Sequence, residues 1–294
     1  MKIGLLGCVH GSVPAARKAL SKFKRASVDA VVVHGDLGDT FKEIQGIVRT
    51  LSRSDVPCIV MPGSHEPARA YKKAIAHAKV NDGLRQTQWL VKDGLVQLIP
   101  GSDSISKSGE FMLAWNKKEV KRRTQYLNQF WKGKRYHPIF ARLRMHHPKQ
   151  TLVIGHVPPR FTQPHAIDVA HFGRATKDFT LRNAGTLGAK HVAGSIYVLK
   201  NARKLVKRGA PVRILKKNVG NPHLATLFRA RKVRFFACAH IHEAGHRGVT
   251  RNGRTVKPGR WTPELFYNSG CARDGSVGII ELSHGKARYR NVKL

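Results

Sequence analysis

Short apolar runs that end at turn residues recur along this chain. They lie at residues 2–7, 29–35, 57–63, 151–156, 233–240 and 277–282. Continuous apolar runs of this length are typical of strands that are buried on both faces. The pattern therefore predicts six buried strands.

The segments that join the first three runs have helical periodicity. Residues 12–27 place Pro14 in a first-turn position, and their apolar residues recur at helical spacing. Residues 40–54 repeat the pattern with Ile44, Ile47, Val48 and Leu51 on one face. Alternating strands and helices predict an α/β layer with parallel strands, and we expect the functional residues at the carboxyl ends of those strands.

Polar residues that can carry chemistry follow five of the apolar runs. In chain order they are Cys8 and His10, Asp36 and Asp39, Ser64, His65 and Glu66, His156, and His240 and His242. A single histidine after a strand is most often structural. Five such turns, usually beside a glycine that lets the backbone turn sharply, favour one shared site instead.

In their order along the chain, these turns resemble the motifs of the calcineurin-like metallophosphoesterase superfamily, D-x-H, G-D-x-x-D, G-N-H, G-H and G-H-x-H. Residues 190–205 are similar to the family's helix-forming segment before the last motif, and residues 265–282 to its closing hairpin. The resemblance implies an α/β fold, a four-layer α/β/β/α sandwich of two mixed sheets with the motif loops at one edge. We expect a single domain over residues 1–294.

The resemblance also implies two divalent metal ions that share one carboxylate and promote the attack of water on a phosphate ester. The matching positions are Asp36 as the bridge, His10 and His242 at the first ion, His156 and His240 at the second, and His65 near the leaving group. His65 is expected to help protonate the leaving group or to steady the phosphate.

Two positions depart from the family pattern. Cys8 replaces the aspartate of the first motif, and Ser64 replaces the asparagine of the third. A thiolate selects Zn²⁺ or Cu(I) rather than Mg²⁺ or Mn²⁺, and serine lacks the amide oxygen. Outer-shell losses alone cost ~10- to 100-fold in metal affinity or activity. The two changes therefore predict a weakened enzyme.

Three interpretations of Cys8 remain open at the level of sequence. The first is a small buried residue that replaces a ligand no longer needed. The second is a zinc thiolate that joins His10, Asp36 and His242 in a tetrahedral structural site. The third is a working site with one metal. The expected cofactor is accordingly one divalent ion, zinc or manganese, or none.

The net charge of the chain indicates a binding partner. The chain has 54 Lys and Arg against 17 Asp and Glu, a formal net charge of +37. Such charge implies a polyanion, and it favours nucleic acid over membrane because no basic amphipathic helix dominates. Residues 101–150 hold 12 basic and 3 acidic side chains, and residues 173–235 hold 16 and 1. We interpret both segments as basic elaborations of the scaffold.

Both elaborations contain candidate RNA-binding residues. In residues 116–147 aromatic side chains interleave with Arg and Lys, a composition typical of surfaces that stack bases and bind phosphates. For the second run, residues 200–218, a solvated helix face is the alternative interpretation. The candidates are Arg122, Arg123, Lys134 and Arg135 in the first segment and Arg203, Lys204, Lys207 and Arg208 in the second.

Four widely separated cysteines, without a CxxC pair, indicate a reducing compartment. The chain has no apolar stretch of about 20 residues and no secretory leader, so we expect a cytoplasmic protein with no membrane partner.

Two hypotheses follow. The first is a catalytically weakened metallophosphoesterase-like protein that binds structured RNA, as a ribosomal or ribosome-associated component in contact with rRNA. The alternative is an active phosphoesterase or nuclease that acts on nucleic acid. A small-molecule phosphatase leaves the charge unexplained. Whether the chain is an enzyme therefore stays open at this point.

Overall fold

A computed structural model describes residues 1–103, 111–113, 136–137, 143, 147–183 and 186–294. The helices within these ranges are α1 (Val13–Arg25), α2 (Phe41–Leu51), α3 (Ala68–Ile75), α4 (Leu199–Lys207) and α5 (Pro222–Ala230). None of the described helices is long and apolar enough to cross a membrane. Four candidate RNA-binding residues lie outside the described ranges: Arg122, Arg123, Lys134 and Arg135.

The strands form two large sheets and three small ones. In chain order they are β1 (Lys2–Leu6), β2 (Ala30–His34), β3 (Cys58–Met61), β4 (Asn81–Asp82), β5 (Gln88–Val91), β6 (Gly94–Ile99), β7 (Met112–Leu113), β8 (Tyr136–His137), β9 (Thr151–Gly155), β10 (Val169–Ala175), β11 (Phe179–Asn183), β12 (Thr186–His191), β13 (Ile196–Val198), β14 (Val212–Asn218), β15 (Phe235–Cys238), β16 (Arg247–Val249), β17 (Thr255–Val256), β18 (Leu265–Asn268), β19 (Ser276–Ser283) and β20 (Lys286–Lys293). All six predicted strands are confirmed to within one or two residues at most ends.

The first large sheet has the order β20-β19-β1-β2-β3-β4. Strands β1 to β3 pair in parallel, as predicted, and the short β4 joins β3 in parallel, whereas β19 is antiparallel to β1. Helices α1 to α3 cover its outer face, where Phe23, Ile47 and Tyr71 are buried in one apolar cluster with Val31 and Val33. The start of α2 is fixed by a capping box between Thr40 and Glu43.

The second large sheet has the order β17-β16-β18-β15-β9-β6-β5 and packs face to face on the first. Leu5 and Val32 from the first sheet share a buried cluster with Ile154 and Phe235 from the second. Helix α5 covers the outer face of the second sheet in another buried cluster. The predicted four-layer α/β/β/α sandwich is confirmed, and burial on both faces explains why the strands lack polar alternation.

A small sheet of three strands, β13-β10-β14, stands apart from the sandwich sheets. Helix α4 packs on one face of it through Ala202 and Leu205, which are buried against Val212. Gly173 makes this approach possible, because a Cβ there would lie 2.4 Å from the Cβ of Ala202. This unit falls almost entirely within the predicted basic elaboration at residues 173–235. The assignment of the whole chain to one domain stays a prediction.

Two expectations from the family resemblance were wrong. Residues 190–205 are not helical throughout, because the chain turns at residues 192–195 to form β13, and α4 begins only at Leu199. Residues 265–282 do not form a hairpin, because β18 pairs with β15 and β16 in the second sheet while β19 pairs with β1 in the first. The closing hairpin is formed by β19 and β20.

Candidate metal centre

The five motif turns lie at one edge of the sandwich, directly after the carboxyl ends of β1, β2, β3, β9 and β15. Asp36 is at their centre and is 2% exposed. Its Oδ2 atom lies 3.2 Å from His156 Nε2 and 3.9 Å from the Nε2 atoms of His10 and His65. The Sγ atom of Cys8 is 4.0 Å from the same oxygen. The fold therefore brings three imidazoles and one thiol around a single carboxylate oxygen.

The other oxygen of Asp36 is held by the third motif. Its Oδ1 atom accepts hydrogen bonds from the backbone N–H groups of Ser64 and His65, at 2.7 and 3.2 Å. The Ser64 hydroxyl lies 3.0 Å from Oδ1 and 3.2 Å from Oδ2. Gly63 permits this contact, because a Cβ there would lie 2.6 Å from Oδ1. Ser64 thus orients the carboxylate in place of the asparagine that the family motif has at this position.

Three groups of ligand-type atoms contain Asp36 or Cys8, each with all its atoms within 4.8 Å of one another: Cys8, Asp36 and His156; His10, Asp36 and His65; and Cys8, His10 and His242. A fourth group among the described residues, His242, Cys271 and Asp274, shares His242 with the third. The four ligands predicted for a structural zinc site, Cys8, His10, Asp36 and His242, are divided between these groups. Overlapping three-ligand sets that share Asp36, Cys8 or His10 are thus assembled among the described residues, rather than one tetrahedral set of these four side chains.

His240 lies at the outer side of this cluster. Its Nδ1 atom is 3.0 Å from His156 Nε2, and it belongs to none of these groups among the described residues. The sequence predicted that His156 and His240 bind one ion together with Asp36. The structure places His156 between the other two side chains, so an ion bound by all three requires His156 or His240 to turn.

Four residues of the centre have backbone conformations that are rare for side-chain-bearing residues. The φ angles are 52° at Cys8, 45° at His10, 57° at Asp36 and 60° at His240. Such conformations cost ~1–3 kcal/mol each and concentrate at functional sites, where the surrounding structure enforces them. All four follow strand ends, so the rigid sheets hold the strained turns in place.

Glu66, which the sequence placed after β3 without a role, links two of the motif turns. Its carboxylate accepts hydrogen bonds from the N–H groups of Leu37, at 2.5 Å, and Gly63, at 2.8 Å. Burial, followed by the charge of Asp36, raises the pKa of Glu66 to about 7. Glu66 therefore fixes the spacing between the second and third motifs.

The protonation states of Cys8 and Asp36 follow from their surroundings. Burial, and then the charge of Asp36, raises the pKa of the Cys8 thiol well above its usual value. Burial also opposes the charge on Asp36, but the imidazoles led by His156 hold its pKa well below the usual range. Cys8 packs with Ala239 and Cys271 in a small apolar cluster. These surroundings favour the interpretation of Cys8 as a buried apolar residue.

The residues around Asp36 fit a divalent ion. The Nε2 atom of His10 is buried without a hydrogen-bond partner among the described residues, and it faces Asp36 Oδ2. Burial lowers the pKa of His10 to about 4, so its imidazole is neutral and able to bind a metal. One carboxylate among imidazoles, with His10 in the neutral form, suits Zn²⁺ or Mn²⁺. His65 also faces the oxygen, with its Nδ1 atom 2.6 Å from Asp39 Oδ1.

Residues after β18 complete the centre, and sequence reasoning missed them. Asp274 Oδ2 lies 3.3 Å from His242 Nδ1, so it orients this imidazole. The backbone N–H of Arg273 and the Cys271 thiol both donate to the carbonyl of Cys8. The only sequence clue was the run of small and polar residues that follows an apolar strand, NSGCARDG.

Asn268 stabilises the backbone of the last motif through hydrogen bonds. Its buried Nδ2 group donates to the carbonyls of Ile167, Ala239 and Ile241, at 3.0 to 3.2 Å, and its Oδ1 accepts from the N–H of Gly270. Asn268 therefore holds the turn that carries His240 and His242.

Replacing Asn268 by alanine is expected to destabilise the protein by ~2–4 kcal/mol, because buried backbone groups lose their partners at ~1–3 kcal/mol each. Urea unfolding followed by circular dichroism measures the change. The matched control is Asn252→Ala in an exposed turn, which we expect to be neutral. Equal stability of the Asn268 and Asn252 variants would contradict the role assigned to Asn268.

The fold and the site together define a protein of the metallophosphoesterase class. The sequence profile of the calcineurin-like phosphoesterase family matches residues 1–244. The chain belongs to this family.

Solved structures agree with this assignment at the level of the fold. The protein TT1561 of Thermus thermophilus is 13% identical with a TM-score of 0.52, and the match covers 99% of each chain. A dimetal phosphatase from Danio rerio is 12% identical with a TM-score of 0.53, and the match covers 100% of this chain and 98% of that one.

One curated protein also matches over a short stretch. The geranylgeranylglyceryl phosphate synthase of Aeropyrum pernix is 35% identical over 60 residues, which are 20% of this chain and 24% of that protein. The match thus spans about a quarter of the relative's length.

Proposed function

We propose that this protein is a metal-dependent phosphoesterase that hydrolyses phosphodiester bonds of nucleic acid. The observation that carries the proposal is the convergence of His10, His65 and His156 on one oxygen of the buried Asp36 carboxylate. The orphaned Nε2 atom of His10 adds a neutral donor aimed at that oxygen. A buried carboxylate surrounded by imidazoles at the carboxyl ends of strands has the composition of a hydrolytic metal site.

In this proposal Asp36 would hold the ion together with a neighbouring imidazole, His10 or His156, which lie in different ligand groups, and His242 is the next donor beyond His10. When bound, a divalent ion there supplies Lewis acidity toward a phosphoryl oxygen and neutralises the charge that develops on it. Ser64 keeps the carboxylate oriented through its hydroxyl and backbone N–H. In this proposal the centre works through one ion, because Cys8 and Ser64 replace two ligands of the family's pair of ions.

His65 and Arg273 are the side chains that would act on the substrate. The contact between His65 Nδ1 and Asp39 favours the tautomer that keeps the Nδ1 proton, and it fixes the ring with Nε2 toward the centre. In its protonated form, with a proton on each ring nitrogen, His65 would give the Nε2 proton to the leaving oxygen and keep the one on Nδ1. Arg273 is half-exposed, its backbone N–H donates to the carbonyl of Cys8, and its Nε atom lies 3.8 Å from the carboxylate of Asp274, which contacts His242. Arg273 is suited to bind a phosphate oxygen.

The choice of nucleic acid as substrate rests on charge. A net charge of +37 exceeds what a small phosphate ester requires, and a polyanion is attracted to such a surface over a long range. Four candidate RNA-binding residues on α4 and at its C-terminal end are all exposed: Arg203, Lys204, Lys207 and Arg208. A cationic surface next to a phosphoesterase centre raises the local concentration of a polynucleotide substrate.

The proposal predicts that one divalent ion per chain activates hydrolysis. Protein stripped with a chelator should be inactive, and Mn²⁺ or Zn²⁺ should restore cleavage of both bis(p-nitrophenyl) phosphate and a labelled RNA. Metal content measured by mass spectrometry should rise to about one ion per chain as activity recovers. Absence of hydrolysis with every divalent ion tested, in a folded protein, would reject the enzymatic proposal.

A second candidate function rests on Cys8 and Ser64. Cys8 is a buried thiol with a raised pKa, and the Ser64 hydroxyl donates a hydrogen bond to Asp36. The aspartate and the asparagine that the family motifs have at these two positions are therefore absent. In this candidate the chain is a weakened phosphoesterase that binds structured RNA, with rRNA and the ribosome as partners in the cytoplasm. RNA binding without any metal-activated cleavage, together with cosedimentation with ribosomes at low salt, would favour it over the first proposal.

A further inference from the structure

The small sheet β13-β10-β14 has one face that no helix covers within the described part of the chain. Side chains alternate between the two faces of a strand, and Gly173 and Val212 face α4. Arg174 and Arg213, their neighbours in sequence, therefore point to the opposite face. Both arginines are exposed there.

Positively charged side chains are direct neighbours on this uncovered face. Arg174 is paired directly with Arg213 in the antiparallel register of β10 and β14. Lys217 lies on the same face, four residues further along β14, opposite Ala170. Like charges in direct cross-strand pairs destabilise a sheet. Within the part of the chain that the structure describes, no carboxylate lies within ion-pair distance of these three cations, so an external anion is needed to relieve the repulsion.

Apolar side chains stand beside the cations. Ile196 and Val198 of β13 are register partners of Arg174 and Phe172, and they are 61% and 64% exposed. A cavity of about 500 Å³ opens among the arginines, bounded by Gly194 on one side and Lys217 on the other. Phosphate oxygens suit the cations, and the faces of sugars and bases suit the aliphatic side chains.

The position of β10 connects this face to the metal centre. The strand packs against the 3₁₀ turn His242–Ala244, and Asn268 bonds to the carbonyl of Ile167 just before it. From Val169 to Arg174 the strand extends ~16 Å at ~3.3 Å per residue. This length corresponds to about five nucleotides of a stacked strand.

We propose that the uncovered face of β13-β10-β14 binds the backbone of a single-stranded nucleic acid whose scissile phosphate lies at the Asp36 centre. The proposal rests on the function proposed above and makes its substrate class narrower, from nucleic acid in general to a single strand. Binding at this face supplies affinity, while the centre supplies the chemistry.

Binding of a fluorescent 12-nucleotide single-stranded RNA to the metal-free Asp36→Asn protein tests the proposal without any need for turnover. The double variant Arg174→Ala/Arg213→Ala in this background should raise the dissociation constant about 10-fold or more, because charged hydrogen bonds are lost. The slope of log K against log salt should fall by about 1.4, at ~0.7 per phosphate contact. Arg174→Lys/Arg213→Lys should retain most of the salt slope.

The control variant Arg17→Ala/Lys18→Ala removes two exposed charges on α1 and should change binding much less. The proposal is overturned if the sheet variant loses no more affinity than this control. It is also overturned if only Arg203→Ala/Lys204→Ala on α4 weakens binding, or if anionic phospholipid vesicles bind the sheet face in preference to RNA. Absence of metal-activated RNA cleavage by the protein that keeps Asp36, while RNA still binds at the sheet face, would reject the enzymatic function and leave the binding face.

Discussion

Replacing Asp36 by asparagine is expected to lower metal-activated phosphodiester hydrolysis by at least about 100-fold, since even outer-shell partners contribute ~10- to 100-fold. Asp36 offers the oxygen on which His10, His65 and His156 converge. Asparagine keeps the shape and the hydrogen bonds from Ser64 to an oxygen but removes the charge that binds the ion. Steady-state rates and metal affinity, measured by calorimetry with Mn²⁺, should fall together.

The control for this experiment is Asp55→Asn. Asp55 is an exposed carboxylate paired with Lys24 on the protein surface, so its loss removes one negative charge without touching the centre. Its activity should match that of the unmodified protein. Full activity of the Asp36 variant with unchanged metal affinity would show that hydrolysis occurs elsewhere.

The double change Cys8→Asp with Ser64→Asn is expected to raise Mn²⁺-dependent kcat/KM by about 10- to 100-fold, the range that metal-site partners contribute. It restores both residues of the family motifs. The Sγ atom of Cys8 lies 4.0 Å from Asp36 Oδ2, and the Ser64 hydroxyl lies 3.2 Å from it. The new carboxylate and amide therefore enter positions next to the oxygen that the ion uses.

The double variant Cys8→Asp with Ser64→Asn is also expected to differ in thermal stability. Without metal, a carboxylate at position 8 is buried beside Asp36, and like charges in one site repel. Its thermal midpoint should therefore lie below that of the unmodified protein and rise more steeply with added Mn²⁺. Cys8→Asn with Ser64→Asn is the matched control, because it has similar volume but lacks the charge. A folded, metal-saturated Asp variant that is no faster than this control would refute the role given to Cys8.

Sequence patterns predicted the sandwich because its strands are buried on both sides. Strands such as β3 and β15 contain nothing but apolar residues before the motif, so they stand out from their surroundings. Strand β14, with the sequence VRILKKN, was not predicted because four of its seven side chains are exposed and three of those four are basic. Periodicity also fails to tell which sheet a strand joins, which is why β18 and β19 were assigned to one hairpin.

The sequence predicted those residues of the centre that directly follow the end of a strand. His10, Asp36, His65 and His156 converge because parallel strands place their carboxyl ends at one edge. The roles of Glu66 and Asn268 come from hydrogen bonds to distant backbone groups, which no local pattern encodes. The separation of His240 from Asp36 by the ring of His156 likewise depends on side-chain packing.

The position of β1 between β2 and β19 bears on how the centre is made during translation. All five motif turns precede Asn268 in the chain, and they leave the ribosome before Cys271–Asp274 and the strands β19 and β20. Until those segments emerge, β1 has an open edge, and the carbonyl of Cys8 lacks the partners that hold its strained turn. Pairings over such sequence distances form late. A nascent chain therefore displays every motif histidine before it can assemble a metal site.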